Sequence, residues 1–141
     1  MIIDLHTHTD QSDGELSPFA LLDRAQKNGV SVVSIADHDT LAAYDQGVAS
    51  YAEKIGITLV PGVEISTVDE SGKKWHILGH FIDPFDLGLC DWLESLKQAR
   101  KIYAKEMIKK LETIGWQIDK DRLLQFDVIS KAHIADAVID Y

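Results

Sequence analysis

A single cysteine, Cys90, excludes an intrachain disulfide and suits a reducing compartment. Basic residues are also scarce: 14 Lys and Arg stand against 23 Asp and Glu, for a formal charge of −9. That balance argues against a broad electrostatic footprint for duplex nucleic acid or an anionic membrane. It leaves room for a small phosphorylated substrate, because carboxylates committed to cations are locally neutralised. The opening Met1-Ile2-Ile3-Asp4 has no basic n-region and no apolar run of signal-peptide length, and no later stretch approaches a membrane span. Repeats, low-complexity tracts and flexible linkers are missing too. These absences describe a soluble cytoplasmic protein, and 141 residues at 45% apolar content are enough for one domain with a real core.

The chain reads as alternating strands and helices. Ile2 to Thr9 is a short apolar run ending in His6-Thr7-His8. Positions two apart on a strand project the same way, so the two imidazoles can reach one cation. On its own the pair could equally be surface histidines or hydrogen-bonded partners in a polar loop. Ser17 and Pro18 mark a helix start and Asn28-Gly29 its end. Val30 to Ala36 is β-branched and nearly all apolar, the pattern of a strand buried on both faces in a parallel sheet, and it runs into Asp37-His38-Asp39-Thr40. A helix over about Leu41 to Ile55, closed by Gly56, leads to a third strand from Ile57 to Ser66 that contains Glu64. Strands separated by helices predict βαβ units and a parallel sheet.

Only Thr67 to Lys74 separates Ser66 from the next strand, Trp75 to Ile82, which is too short for a parallel crossover. A hairpin is predicted there, and a loop centred on Glu70 would place Glu64 and His76 directly opposite each other. From Leu87 to Ile114 an apolar stripe through Leu89, Trp92, Leu93 and Leu96 predicts a long helix stopped by Gly115, with the stripe in the core. Asp121 to Phe126 and Ala132 to Ile139 read as short helices, the second capped by Ser130.

His6, His8, Asp13, His38, Glu64 and His76 lie just after or within four successive strands, which in an α/β barrel converge on one face. Such a nitrogen and oxygen set points to metal. Asp37 and Asp39 flank His38 and are expected to orient its imidazole. His80 reads as a core or rim residue and Cys90 as a buried helix residue rather than a reactive thiol.

The strings Asp4-Leu5-His6-Thr7-His8, Ser12-Asp13-Gly14, Asp37-His38-Asp39-Thr40, Pro61-Gly62-Val63-Glu64-Ile65-Ser66 and His76-Ile77-Leu78-Gly79 together resemble the PHP (polymerase and histidinol phosphatase) family. The resemblance is to its branch of nucleoside 3′,5′-bisphosphate phosphatases and 5′-to-3′ exoribonucleases, and its motifs cover residues 1–83. It implies an α/β fold, the N-terminal part of a distorted seven-stranded β/α barrel, with residues 84–141 a helical segment of the same domain. It also implies two or three divalent ions, manganese, iron or zinc. His6, His8 and Glu64 would hold one, Glu64 would bridge to a second bound by His76 and His133, and Asp13 with His38 would hold a third. Arg100 and Lys131 would meet substrate phosphate, while Tyr103 stands near where the family places another arginine. Ser12 and Thr9 need no catalytic role.

The activity implied is hydrolysis of a phosphate ester of a nucleotide, an oligonucleotide 5′ end or a small phosphorylated metabolite by metal-activated water. Histidinol-phosphate phosphatase is the alternative enzyme, and a non-catalytic PHP-like module binding metal or nucleotide is the alternative of another class. An amidohydrolase also begins with His-x-His in a barrel but leaves Asp37-His38-Asp39 unexplained. The family's late Asp-x-His ligands do not occur in the eight residues after His133, so the 141 residues are expected to be an incomplete domain from a longer chain.

Overall fold

The computed structural model describes residues 1–45, 47–124, 126 and 128–138. Four strands, β1 (Ile2–Thr7), β2 (Val30–Ile35), β3 (Thr58–Val68) and β4 (Lys74–His80), form one sheet in chain order. β1, β2 and β3 run parallel and β4 returns antiparallel to β3. The predicted βαβ units and hairpin are both present.

Helix α1 (Pro18–Lys27) starts as its sequence dictates. The Ser17 hydroxyl accepts from the Ala20 amide at 3.3 Å, Pro18 occupies the first turn, and Gly29 follows Asn28 with φ of 74°. The single helix expected over Leu41 to Ile55 is instead two pieces, a 3-10 turn (Ala42–Tyr44) and α2 (Val48–Lys54), parted at left-handed Gly47. The break turns Tyr44 inward. Its hydroxyl donates to the Ile35 carbonyl at 2.5 Å and accepts from the Gly62 amide at 2.9 Å, tying β2 to β3.

The hairpin register also departs from expectation. Glu64 lies opposite Leu78, and His76 lies opposite Ser66, so Glu64 and His76 are diagonal neighbours on one face. The cause is Asp69. Its carboxylate accepts from the Ser71 amide and hydroxyl, the Lys73 amide and the Trp75 indole, while left-handed Gly72 makes the turn. Hydrogen bonds from Ser71 and Trp75 pull the Asp69 carboxyl down to about 2. That staple centres the loop one residue later than Glu70, and because the side-chain period is two, the shared face survives the shift.

The long helix α3 (Leu87–Thr113) is capped by Asp86, whose carboxylate accepts from the Leu89 amide at 2.7 Å. It joins two hydrophobic clusters. Leu93 packs with Leu22, Val33, Ile35, Val48 and Val63 under the sheet, whereas Ala104 and Ile108 pack with Ile118, Leu123, Ile134 and Ala137. The predicted core stripe therefore divides: Leu93 is 2% exposed, but Trp92 is 47% exposed and faces a cleft. The short helices α4 (Lys120–Leu124) and α5 (Lys131–Asp136) start one residue earlier than expected; Gln125 and Ile139, within the predicted spans, lie outside the described residues. Among the described residues no helix is long and apolar enough to cross a membrane.

One glycine fits the loop after β1 to the strand it leaves. The Gly14 amide donates to the Thr9 carbonyl at 2.9 Å, and a Cβ at Gly14 would stand 2.4 Å from the His8 carbonyl oxygen. Gly14→Ala should therefore lower stability by about 1–3 kcal/mol in chemical denaturation, the usual cost of forcing atoms into filled space; an unchanged midpoint would contradict this packing.

Candidate metal centre

Backbone pairing places the candidate ligands before any side chain is considered. β1 ends at Thr7 beside Ile35, and the Ala36 amide donates to the Thr7 carbonyl at 2.8 Å, so His6 and His8 lie beside the end of β2. Beyond Ala36 the β2 chain keeps pairing with β3. The Glu64 amide donates to the Asp37 carbonyl at 3.2 Å, and the Asp39 amide to the Glu64 carbonyl at 2.9 Å, which holds His38 next to Glu64. The antiparallel return of β4 adds His76.

The Glu64 carboxylate, 6% exposed, gathers these rings. It accepts from His6 Nε2 and His76 Nδ1, each at 2.8 Å, and lies 3.1 Å from His8 Nε2 and 3.6 Å from His38 Nδ1. Asp13 closes the opposite side, 3.6 Å from His8 Nδ1 and 3.5 Å from His38 Nε2. The rings of His8 and His38 stack at 4.8 Å, and that of His76 meets His38 edge-on at the same separation.

Three sets of potential ligand atoms result, His6-His8-Glu64, His8-Asp13-His38 and His38-Glu64-His76, the atoms of each within 4.8 Å of one another. Two buried nitrogens, His8 Nδ1 and His38 Nδ1, have no hydrogen-bond partner. A buried polar atom without a partner costs about 1–3 kcal/mol, whereas a neutral imidazole nitrogen is a ready metal ligand. The donor set therefore fits divalent cations of the manganese, iron or zinc type. Burial is the largest influence on the His38 imidazole and lowers it, against the pull of Asp13 and Glu64. For Glu64 burial acts upward, but hydrogen bonds from His6 and His76 and the charge of His38 outweigh it, and the net shift is downward. The carboxylate is ionised where a cation would need it.

The other candidates take different places. His133 belongs to none of the three sets: its Nδ1 accepts from the Ser130 amide while the Ser130 hydroxyl accepts from the His133 amide, both at 3.2 Å, capping α5. Its ring stacks on Phe126 at 3.8 Å, and burial lowers it, with the charge of Asp13 opposing. In its place His8 and His38 are each shared between two sets. The Asp37 and Asp39 carboxylates, expected to orient imidazoles, bond elsewhere. Asp37 accepts from Thr9 and Ser12, and Asp39 accepts from the Ser66 amide at 2.8 Å and pairs with Arg100, whose guanidinium also donates to the Ser66 hydroxyl. Nothing in the sequence marks Thr9, Ser12 or Ser66 for these tasks beyond their nearness to predicted ligands. His80 Nδ1 meets the Ser34 hydroxyl at 3.2 Å on the rim, and the half-buried Cys90 lies against the Pro84 carbonyl.

The cluster opens on a cleft of about 700 Å³. Asp13, His38 and His76 form its end at the histidine cluster, Arg100 and Lys131 supply positive charge, and Trp75, Trp92 and Tyr103 supply aromatic wall. The Lys74 ammonium sits 4.2 Å above the ring of Tyr103, the residue near which the family resemblance implies an arginine.

Known proteins are similar in sequence and fold along nearly the whole chain. A 5′-3′ exoribonuclease of Haemophilus influenzae is 40% identical over 94% of the chain and 48% of its own length. A 3′,5′-nucleoside bisphosphate phosphatase of Chromobacterium violaceum is 32% identical over 98% of the chain and 49% of its own length. Among solved structures, one from Chromobacterium violaceum called an amidohydrolase superposes with a TM-score of 0.86 at 32% identity, covering 97% of this chain and 49% of that one. Another, from Bifidobacterium adolescentis and named for metal-dependent phosphoesterase activity, gives 0.84 at 34% identity, covering 96% and 48%. The chain spans about half the length of the curated relatives it matches, and its sheet and helices superpose on about half of each solved barrel, as the expected N-terminal part of an α/β barrel does. The PHP domain itself matches residues 4–125, from the start of the His-x-His strand through α4, and the chain belongs to the PHP domain family.

Proposed function

We propose that this chain carries the metal-binding face of a hydrolase that cleaves a phosphate ester of a nucleotide, an RNA 5′ end or a small phosphorylated metabolite. The carrying observation is four imidazoles and two carboxylates, with ligand atoms within 4.8 Å in each set, at the mouth of a cleft that bears Arg100 and Lys131. His6, His8, Asp13, His38, Glu64 and His76 are the proposed ligands of two or three divalent ions, with manganese, iron and zinc all matching the donor types. When bound, such ions supply Lewis acidity and a water activated for attack at phosphorus. His133, engaged in capping α5, stands outside the proposed set.

The protein's own groups have separate tasks. Burial disfavours the protonated form of His38, and the histidines around Glu64 favour its carboxylate form, so both lean toward the state that holds a cation. Arg100, fixed by Asp39 and Ser66, stands in the cleft wall as a positive charge for a phosphoryl oxygen, and the exposed Lys131 adds a point charge. The aromatic wall favours a substrate with a flat base, on which Trp75, Trp92 or Tyr103 could stack. The names of the relatives as exoribonuclease and nucleoside bisphosphate phosphatase support the same class over histidinol phosphate. The free thiol of Cys90 suits the cytoplasm as the compartment.

The full-length gene product, assayed with manganese against 3′,5′-bisphosphonucleosides and short 5′-phosphorylated RNA, should show turnover that a chelator abolishes. His8→Ala, which removes a ligand shared by two sets, should lower that turnover by about 100-fold or more, beyond the usual loss for an outer-sphere partner; equal rates in variant and wild type would refute the proposal. The pH dependence has a definite sign. His38 and His133 bind protons less readily folded than unfolded, so the unfolded chain takes up more protons as pH falls below 6.5 and stability drops. Glu64 adds a further loss below 4.5, since its depressed folded value contributes stability only above that range. The denaturation midpoint of the metal-free protein should fall between about pH 7 and about pH 5; a constant midpoint would contradict the burial of these rings.

A further inference from the structure

Asp37 is 1% exposed and belongs to none of the three ligand sets, yet its carboxylate is fully engaged. Its Oδ1 accepts from the Thr9 amide at 2.7 Å and the Ser12 hydroxyl at 2.6 Å, and its Oδ2 accepts from the Thr9 hydroxyl at 2.6 Å. All three donors lie in the loop after β1, and both residues are themselves buried, Thr9 completely and Ser12 at 2% exposure. The loop is closed on this anchor: the Ser12 and Gly14 amides donate to the Thr9 carbonyl at 3.1 Å and 2.9 Å. Asp13 therefore sits between two residues tied to Thr9, and Thr9 and Ser12 are tied to Asp37.

The two carboxylates of the cluster are thus held by different means. Glu64 is part of a strand, and its backbone pairs with both Asp37 and Asp39. Asp13 has no strand beneath it, and its distances of 3.6 Å and 3.5 Å to His8 and His38 depend on where the loop sets its backbone. We propose that Asp37 is a positioning residue that, through Thr9 and Ser12, presents Asp13 to the His8-His38 side of the cluster, so that one cation position depends on a carboxylate that does not touch the cation. The proposal rests on the metal-binding reading of the cluster. It predicts an asymmetry: weakening the anchor impairs the Asp13 side and spares the Glu64 side.

The test is manganese binding to the full-length protein, by equilibrium dialysis with elemental analysis, in Ser12→Ala, Thr9→Val and Thr9→Ser. Ser12→Ala and Thr9→Val each leave two of the three bonds to Asp37 in place, and Thr9→Ser keeps all three donors. Ser12→Ala and Thr9→Val should each weaken one class of bound manganese roughly 10–100-fold while the remaining manganese binds as in wild type, and Thr9→Ser should bind like wild type. Because Ser12 acts through Asp13, adding Ser12→Ala to Asp13→Asn should cause no further loss of affinity. Unchanged manganese binding with lowered unfolding midpoints would overturn the proposal, leaving Asp37 a loop anchor only, as would equal weakening of every bound manganese. Wild-type protein that binds no manganese would overturn the metal reading and the proposal with it, an outcome distinct from the other two.

Discussion

A carboxylate surrounded by four imidazoles is the interaction to which the rest of this fold is fitted. Glu64 is 6% exposed and sits between His6 and His76 at hydrogen-bond distance, with His8 and His38 just beyond. Burying such a charge is costly unless partners surround it, and those partners come from β1, β2 and β4 or their ends. β3 pairs parallel to β2 on one side and antiparallel to β4 on the other, so Glu64 is a position from which histidines on both flanks are within reach. The change of strand direction after β3 brings His76 to a carboxylate that already faces His6, His8 and His38.

The tripeptide Asp37-His38-Asp39 links this centre to its surroundings. His38 enters the cluster, Asp37 fastens the loop that carries Asp13, and Asp39 fastens α3 through Arg100 and β3 through the Ser66 amide. Asp39 does so in the left-handed region, with φ of 52°. Aspartate adopts that conformation more readily than most residues, and the hydrogen bond and ion pair of a fully buried carboxylate offset its strain. Three consecutive side chains thus provide one imidazole of the cluster, an anchor for the loop that carries Asp13, and a partner for the cationic cleft wall.

Local chemistry was legible wherever it was sufficient. Ser17-Pro18 and Asn28-Gly29 bound α1 because capping and proline geometry need no distant partner. The β-branched run of β2 and the shortness of the Thr67–Lys74 connection likewise implied parallel strands and then a hairpin. The errors fall where distant groups compete with local preference. Leu41 to Ile55 splits at Gly47 because the Tyr44 hydroxyl is drawn between Ile35 and Gly62. The hairpin shifts because one side chain, Asp69, collects four hydrogen bonds within its turn. Asp37 and Asp39 read as companions of His38 because they are its neighbours in sequence, but their partners are 25 to 61 residues away.

The sequence by itself determined that histidines and carboxylates stand at the ends of successive strands, because strand periodicity and turn chemistry act over a few residues. It also carried the strings that resemble the PHP family, all within the residues 4–125 that the PHP domain matches. Only the tertiary structure decided how those side chains are grouped. Strand register, loop anchoring and the capping of α5 assign His8 and His38 to two sets each and direct His133 to Ser130. These are contests between hydrogen-bond partners far apart in the chain, and their outcome depends on which groups the folded backbone brings within reach.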